Sequence, residues 1–301
     1  MNGKAVRMEV DFMGPFFQRV AVAMRAIEPD WLLFAELDPG EGFAHGFPKD
    51  TPRGTVNASH WYDIVTLGTK TFGFPTWLNP YNGRTLEGAD AIEELYTKQL
   101  GFIKETAKTL NDGQGAPTLI GEFGIPYDLH DAAAFKSWAA GDRSDAPWEK
   151  HVIALDLMYC AMDKLLISST HWNYTASNRN DQAVGDGWNQ EDLSIYSVDQ
   201  RTDSNDINSG GRALAGFVRP YARSIAGRPL KVKFKRETGL FRFVFEASSD
   251  AESEIFVPAL QYPNGFDIEV EGGTFTRDDS NQSIRVRADG IGKVGVSITR
   301  K

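Results

Sequence analysis

The sequence predicts two architectures in succession: a parallel α/β region over residues 1–227 and a small antiparallel all-β sandwich over 228–301. Three observations carry this. Apolar strand-like runs alternate with helix-period stretches as far as residue 227, as in βα units. Beyond Arg228-Pro229 the apolar side chains fall at every second position. The run Pro117-Thr118-Leu119-Ile120-Gly121-Glu122-Phe123-Gly124 ends in a carboxylate between two glycines, the way a barrel strand delivers an acid to its C-terminal end.

Within residues 12–27, Phe16, Val20, Met24 and Ile27 recur at helical spacing, and Glu28-Pro29-Asp30 ends that helix. Trp31-Leu32-Leu33-Phe34-Ala35 reads as a buried strand. Residues 38–57 are rich in Gly and Pro without a helical period, which predicts a long loop. Ile64-Val65-Thr66-Leu67 reads as a second strand, followed by an aromatic loop with Phe72, Phe74, Trp77 and Tyr81. Ile92, Leu95, Tyr96, Leu100, Ile103, Ala107 and Leu110 share one face of an amphipathic helix. The Glu122 run is the third strand, a helix follows near 147–164, and residues 165–170 form the fourth strand. A polar loop over 173–208 leads to a last helix carrying Leu214, Phe217, Val218, Tyr221 and Ile225. The sandwich strands are marked by Leu230, Val232 and Phe234; by Phe241, Phe243 and Phe245; by Phe266, Ile268 and Val270; by Ile284 and Val286; and by Val294, Val296 and Ile298.

Four βα units amount to half of a (β/α)8 barrel, which takes about 250 residues when whole. A half-barrel alone leaves two strand edges unpaired and an apolar inner face open. A two-fold pair of copies, each lending four strands, satisfies both needs, so a homodimer is expected.

The chain has 301 residues, 41% of them hydrophobic, in the range of an ordinary soluble globular protein. A net charge of -9 with no offsetting basic stretch argues against nucleic acid as the main ligand. Aromatics reach 12%, many of them in loops, which suits stacking against flat uncharged ligands such as sugar rings. A lone Cys160 in an apolar helical pattern points to packing, since no disulfide within the chain is possible. No apolar run is long enough to cross a bilayer, and the first residues lack the basic-then-apolar pattern of a secretion signal. No cofactor or metal is expected.

An apolar strand ending in Glu122 implies a carboxylate that is unfavourable unless paired, hydrogen-bonded or used. Its flanking glycines leave room for a backbone turn and for a ligand's close approach. The alternative is a salt-bridged glutamate at a strand end. Three further clusters fall at strand ends: Glu36-Leu37-Asp38-Pro39 closes the first, His60-Trp61-Tyr62-Asp63 enters the second, and His171-Trp172-Asn173-Tyr174 leaves the fourth. Aromatic rings match the C–H faces of sugars, while His, Tyr and Asn bond hydroxyls directionally. A single such histidine is more often a satisfied core residue, and a single such tryptophan is packing as often as platform. Gathered at three strand ends around Glu122, they point to a carbohydrate site.

These motifs, with Gly185-Asp186-Gly187-Trp188-Asn189-Gln190-Glu191-Asp192-Leu193-Ser194, resemble glycoside hydrolase family 5. The similar branch is that of endoglycoceramidases and related glycosylceramidases, which also carry a small C-terminal β-sandwich. The resemblance covers nearly the whole chain but only the second half of that family's barrel, strands five to eight. It implies a retaining β-glycosidase acting on a carbohydrate or glycolipid. By it, Glu122 is the nucleophile with His60 and Tyr62 beside it, and Trp172 is the sugar platform with Asn173 as a polar contact. Asp186 and Trp188 would lie on a loop that walls the cleft.

The family's acid/base glutamate belongs to an Asn-Glu-Pro motif, which this sequence does not contain. Retaining enzymes hold their two carboxyl groups only about 5–5.5 Å apart. Glu36 is the nearest substitute by position, although its counterpart in the family is not the acid. Three readings follow: a dimer of half-barrels that is an enzyme, an inactive sugar- or glycolipid-binding remnant, or a fragment whose missing half comes from another chain. Phe72, Phe74 and Trp77 are candidates for lipid contact or, alternatively, for loop-to-core packing.

Overall fold

The computed structural model describes residues 3, 5–39, 41–187 and 191–301. Its helices are α1 (Gly14–Arg25), α2 (Glu41–His45), α3 (Ile64–Thr69), α4 (Ala89–Thr106), α5 (Leu110–Gly113), α6 (Leu129–Ala139) and α7 (Glu149–Leu165). Its strands are β1 (Leu33–Ala35), β2 (Thr55–Asn57), β3 (Thr76–Leu78), β4 (Thr85–Glu87), β5 (Leu119–Phe123) and β6 (Ser168–His171), then β7 (Tyr221–Ser224), β8 (Gly227–Lys235), β9 (Leu240–Ala247), β10 (Glu252–Phe256), β11 (Phe266–Glu271), β12 (Gly273–Asp278), β13 (Ser283–Ala288) and β14 (Gly292–Arg300). The chain divides into two compact units: residues 1–63, 95–124 and 167–172, and residues 64–94, 125–166 and 173–301. No described helix is long and apolar enough to cross a membrane.

The first unit is built on parallel strands. β1 pairs with β2, β5 pairs with β6, and a parallel bridge from Asn57 to Thr118 joins the two pairs. Leu33 and Ala35 turn inward on β1, while Phe34 between them is 60% exposed. Phe17 of α1 packs with Ala35, Leu37, Phe47, Ala107 and Leu110. The face of α1 expected to be buried is rotated: Phe17 and Ala21 are inside, whereas Phe16 and Ile27 are exposed.

The second unit contains the β3–β4 hairpin, α6, α7 and two four-stranded antiparallel sheets, ordered β12-β13-β10-β7 and β11-β14-β9-β8. Phe241, Phe243 and Phe245 from one sheet meet Ile255, Ile284 and Val286 from the other in a single apolar core. Each such fully buried side chain contributes roughly 1.5–3 kcal/mol, and the period-two pattern is what aims them inward. Cys160 on α7 is partly buried, and burial pushes its thiol up to about 12, consistent with packing rather than reactivity.

Three expectations fail locally. Ile64-Val65-Thr66-Leu67 is helical, within α3, and the second parallel strand is β2, inside the stretch read as a loop. A four-residue apolar run does not separate helix from strand, and a three-residue strand carries too few side chains to show a period. That loop also holds α2. The expected last helix is a single 3₁₀ turn, Leu214–Gly216, followed by β7, which pairs with β10. Pro220 removes a backbone donor and restricts Arg219, so the helix cannot run through that point. β7 therefore joins the sandwich ahead of residue 228, and β10 and β12 add two strands that the alternation did not reveal.

Candidate active site

Glu122 closes β5 within the first unit, and the chain leaving β2 runs alongside it. Gly121 N donates to Ser59 O at 3.2 Å, and Trp61 N donates to Glu122 O at 2.9 Å. This places His60 and Tyr62 next to the carboxylate. Tyr62 Oη donates to Glu122 Oε2 at 3.0 Å, and His60 Nδ1 lies 3.5 Å from the same oxygen. The other ring nitrogen, Nε2, lies 3.0 Å from Glu36 Oε2 at the end of β1. One imidazole thus stands between two carboxylates. Glu122 is about one-third exposed and Glu36 half exposed, so both remain reachable from solvent.

The glycines beside Glu122 serve the protein's own packing. A Cβ on Gly121 would overlap the Ala58 carbonyl oxygen and stand 2.9 Å from His60 Cδ2. A Cβ on Gly124 would overlap the Trp172 carbonyl oxygen. The room expected for a ligand is filled by neighbouring backbone and by the His60 ring.

A buried polar network sets the position of these strand ends. Asn57 Oδ1 accepts from Ser59 N at 3.1 Å and Ser59 Oγ at 2.7 Å, and its Nδ2 donates to Ile103 O at 3.0 Å. Leu37 N donates to Ser59 Oγ at 3.1 Å, tying the residue after Glu36 to the segment before His60. Sequence reasoning missed Asn57 and Ser59, because Thr55-Val56-Asn57 holds a single apolar residue and offers no strand signal. Trp61 is buried, with Nε1 donating to Gln99 Oε1 at 3.0 Å, so it is a packing residue. Trp172 follows β6, and its N donates to Phe123 O at 2.8 Å. Burial lowers the neighbouring His171 to about 4, so that imidazole is neutral at pH 7.

Asn173 and Asp186 come together in the second unit. Asn173 Nδ2 donates to Asp186 Oδ2 at 2.8 Å, and Leu193 N donates to the same oxygen at 3.1 Å. Burial, then the neighbouring Asp186, raises the Glu191 carboxyl above its usual range. Trp188, also expected in this loop, lies outside the described residues. The segment is anchored by Arg212, fully buried, whose NH1 donates to Asp192 Oδ2 at 2.9 Å and whose guanidinium lies 4.4 Å from the Tyr127 ring centroid. Phe72 and Trp77 are buried against each other, ring centroids 5.2 Å apart, so these two rings of the aromatic loop pack inward while Tyr81 is exposed. Among the described residues no group of three or more His, Cys, Asp or Glu could hold a metal ion.

Residues 219–299 match the glycoside hydrolase family 5 C-terminal domain. A glucosylceramidase of Rhizopus delemar is 30% identical over 287 residues, covering 87% of this chain and 40% of that protein. Sterylglucosidase 1 of Cryptococcus neoformans is similar in structure, with TM-score 0.83 and 24% identity over 99% of this chain and 46% of that one. Endo-glycoceramidase II from Rhodococcus sp., solved as a lactosyl-enzyme intermediate, gives TM-score 0.60 and 17% identity over 100% of this chain and 58% of that one. The two structural likenesses show the fold. The chain spans 40% of the Rhizopus relative's length. It carries the C-terminal domain of a glycoside hydrolase. Over part of their length it is similar to glucosylceramidases and to an endoglycoceramidase.

Proposed function

We propose that the chain carries the nucleophile-bearing part of a retaining β-glycosidase acting on a glycosylated lipid. Glu122 attacks the anomeric carbon, the aglycone departs, and water later releases the sugar from the glycosyl-enzyme. The observation that carries this reading is the donation from Tyr62 to Glu122 at 3.0 Å, which orients one carboxylate oxygen and leaves the carboxylate partly open to solvent. Trp172 is the sugar platform, and Asn173 with Asp186 makes polar contacts. The name of the Rhizopus relative, a glucosylceramidase, supports the glycolipid class. Glu36, tied to His60, is the candidate substitute acid/base.

The same proposal treats the chain ahead of β7 as the barrel-forming part, with the sandwich from β7 onward, and completes the barrel with a second copy. Its support is the exposure of Phe34, Phe16 and Leu32, with β1 and β6 each paired on one side only among the described residues. The test uses 2,4-dinitrophenyl 2-deoxy-2-fluoro-β-glucoside, whose leaving group needs no acid. The expected outcome is a covalent fluoroglucosyl adduct on the Glu122 peptide, in a species sedimenting as a dimer. No adduct in any oligomeric state would overturn the proposal.

A further inference from the structure

A cavity of about 550 Å³ opens within the second unit, lined by residues from α6, α7, the 197–215 segment and Leu260, none of which belongs to the Glu122 or Asp186 groups. That volume lies in the range of small-molecule sites, about 300–1,000 Å³. Two indoles, Trp138 and Trp148, contribute to its walls. Arg143 fixes the first of them, its guanidinium lying 3.9 Å from the Trp138 ring centroid and its NH1 donating to Trp138 O at 2.6 Å. Gln200 also lines the cavity; it is only 6% exposed, yet its side-chain Oε1 has no hydrogen-bond partner among the described residues. A buried amide oxygen left without a partner is unfavourable, and native proteins rarely keep one without a use. Asn208 adds a second amide, and the one arginine of the lining, Arg143, is accompanied by two carboxylates, Asp145 and Asp206, so the lining offers an anion no net cationic field.

We propose that this cavity is a glycan-binding site separate from the chemistry at Glu122, taking a neutral pyranose ring against the Trp138 indole, with only the edge of the buried Trp148 at its wall. Its hydroxyls bond the Gln200 and Asn208 amides. Indole faces match the apolar C–H faces of a sugar, and amides supply both the donors and acceptors that hydroxyls need. The site requires no turnover and stands whether or not Glu122 is a nucleophile.

The test is an NMR titration of the tryptophan indole N–H signals with methyl β-D-glucoside, and with glucuronate as the anionic comparison. Saturable shifts of the Trp138 and Trp148 signals are expected, retained in Glu122→Gln. They weaken at least tenfold in Gln200→Leu, and on the Trp148 signal in Trp138→Ala. If Gln200→Leu fails to fold, Trp138→Ala, at a partly exposed position, decides alone. Signals that stay still at high sugar concentration, shifts indifferent to the substitutions, or equal binding of glucuronate would overturn the proposal.

Discussion

Tyr62 donates its phenolic proton to Glu122 Oε2 at 3.0 Å, joining the segment after β2 to the end of β5. Removing that donor frees the carboxylate to rotate and withdraws a charge-assisted hydrogen bond from it. Tyr62→Phe is expected to slow formation of the fluoroglucosyl adduct by about ten- to a hundred-fold, the range of one positioned polar group. Thermal unfolding should stay near that of the parent. An unchanged trapping rate would remove Tyr62 from the reacting centre.

Glu36 is separable from Glu122 by choice of substrate. If Glu36 acts as the acid, Glu36→Gln slows hydrolysis of an alkyl or lipid β-glucoside by orders of magnitude while sparing a dinitrophenyl glucoside. Equal activity toward both leaving groups would exclude it as the acid and leave it as the residue that holds His60 Nε2 at 3.0 Å.

Gly121→Ala places a methyl group against the Ala58 carbonyl oxygen and the His60 ring. Backbone cannot yield as a flexible side chain does, so a loss of about 2–4 kcal/mol is expected in urea unfolding. Gly290→Ala, whose Cβ meets nothing within 4 Å, is the matched control.

Arg212 and Asp192 form an ion pair sealed from solvent, at 0% and 1% side-chain exposure. Arg212→Met leaves an uncompensated buried carboxylate and should destabilise the second unit by about 3–5 kcal/mol. The double variant with Asp192→Leu should recover part of that loss, and a double-mutant cycle reads the coupling.

His151 on α7 is buried with Nε2 3.1 Å from Tyr127 O, and burial pushes its imidazole down to about 3. The unfolded chain, with histidine near 6.5, then binds more protons than the folded chain between about pH 3 and 6.5. Stability from this group is complete above pH 6.5 and is lost as pH falls through that window. Melting temperature should decline below pH 6.5, and His151→Gln should flatten the decline.

The sandwich was legible because its apolar residues repeat every second position, so Phe241, Phe243 and Phe245 declare one inner face. β5 was legible for a similar reason, an apolar run ending in a charge. β2 was not: its three residues show no period, and Asn57 is inside because Ile103 O and Ser59 satisfy its amide. The apolar spacing of residues 214–225 suggests a helix, and Pro220 is the local signal against it.

By itself the sequence determined the order of parallel and antiparallel regions and the place of Glu122 at a strand end, whereas His60 and Tyr62 beside it were what the family resemblance implied. Local pattern and chain order are enough for that, since strand period and strand-end chemistry are written within a few residues. Only the tertiary structure decided that His60 stands between Glu36 and Glu122, that Gly121 and Gly124 yield to protein backbone, and that Phe72 and Trp77 pack inward. Those outcomes depend on which distant segments meet, and register and close packing between such segments leave no local periodicity to read.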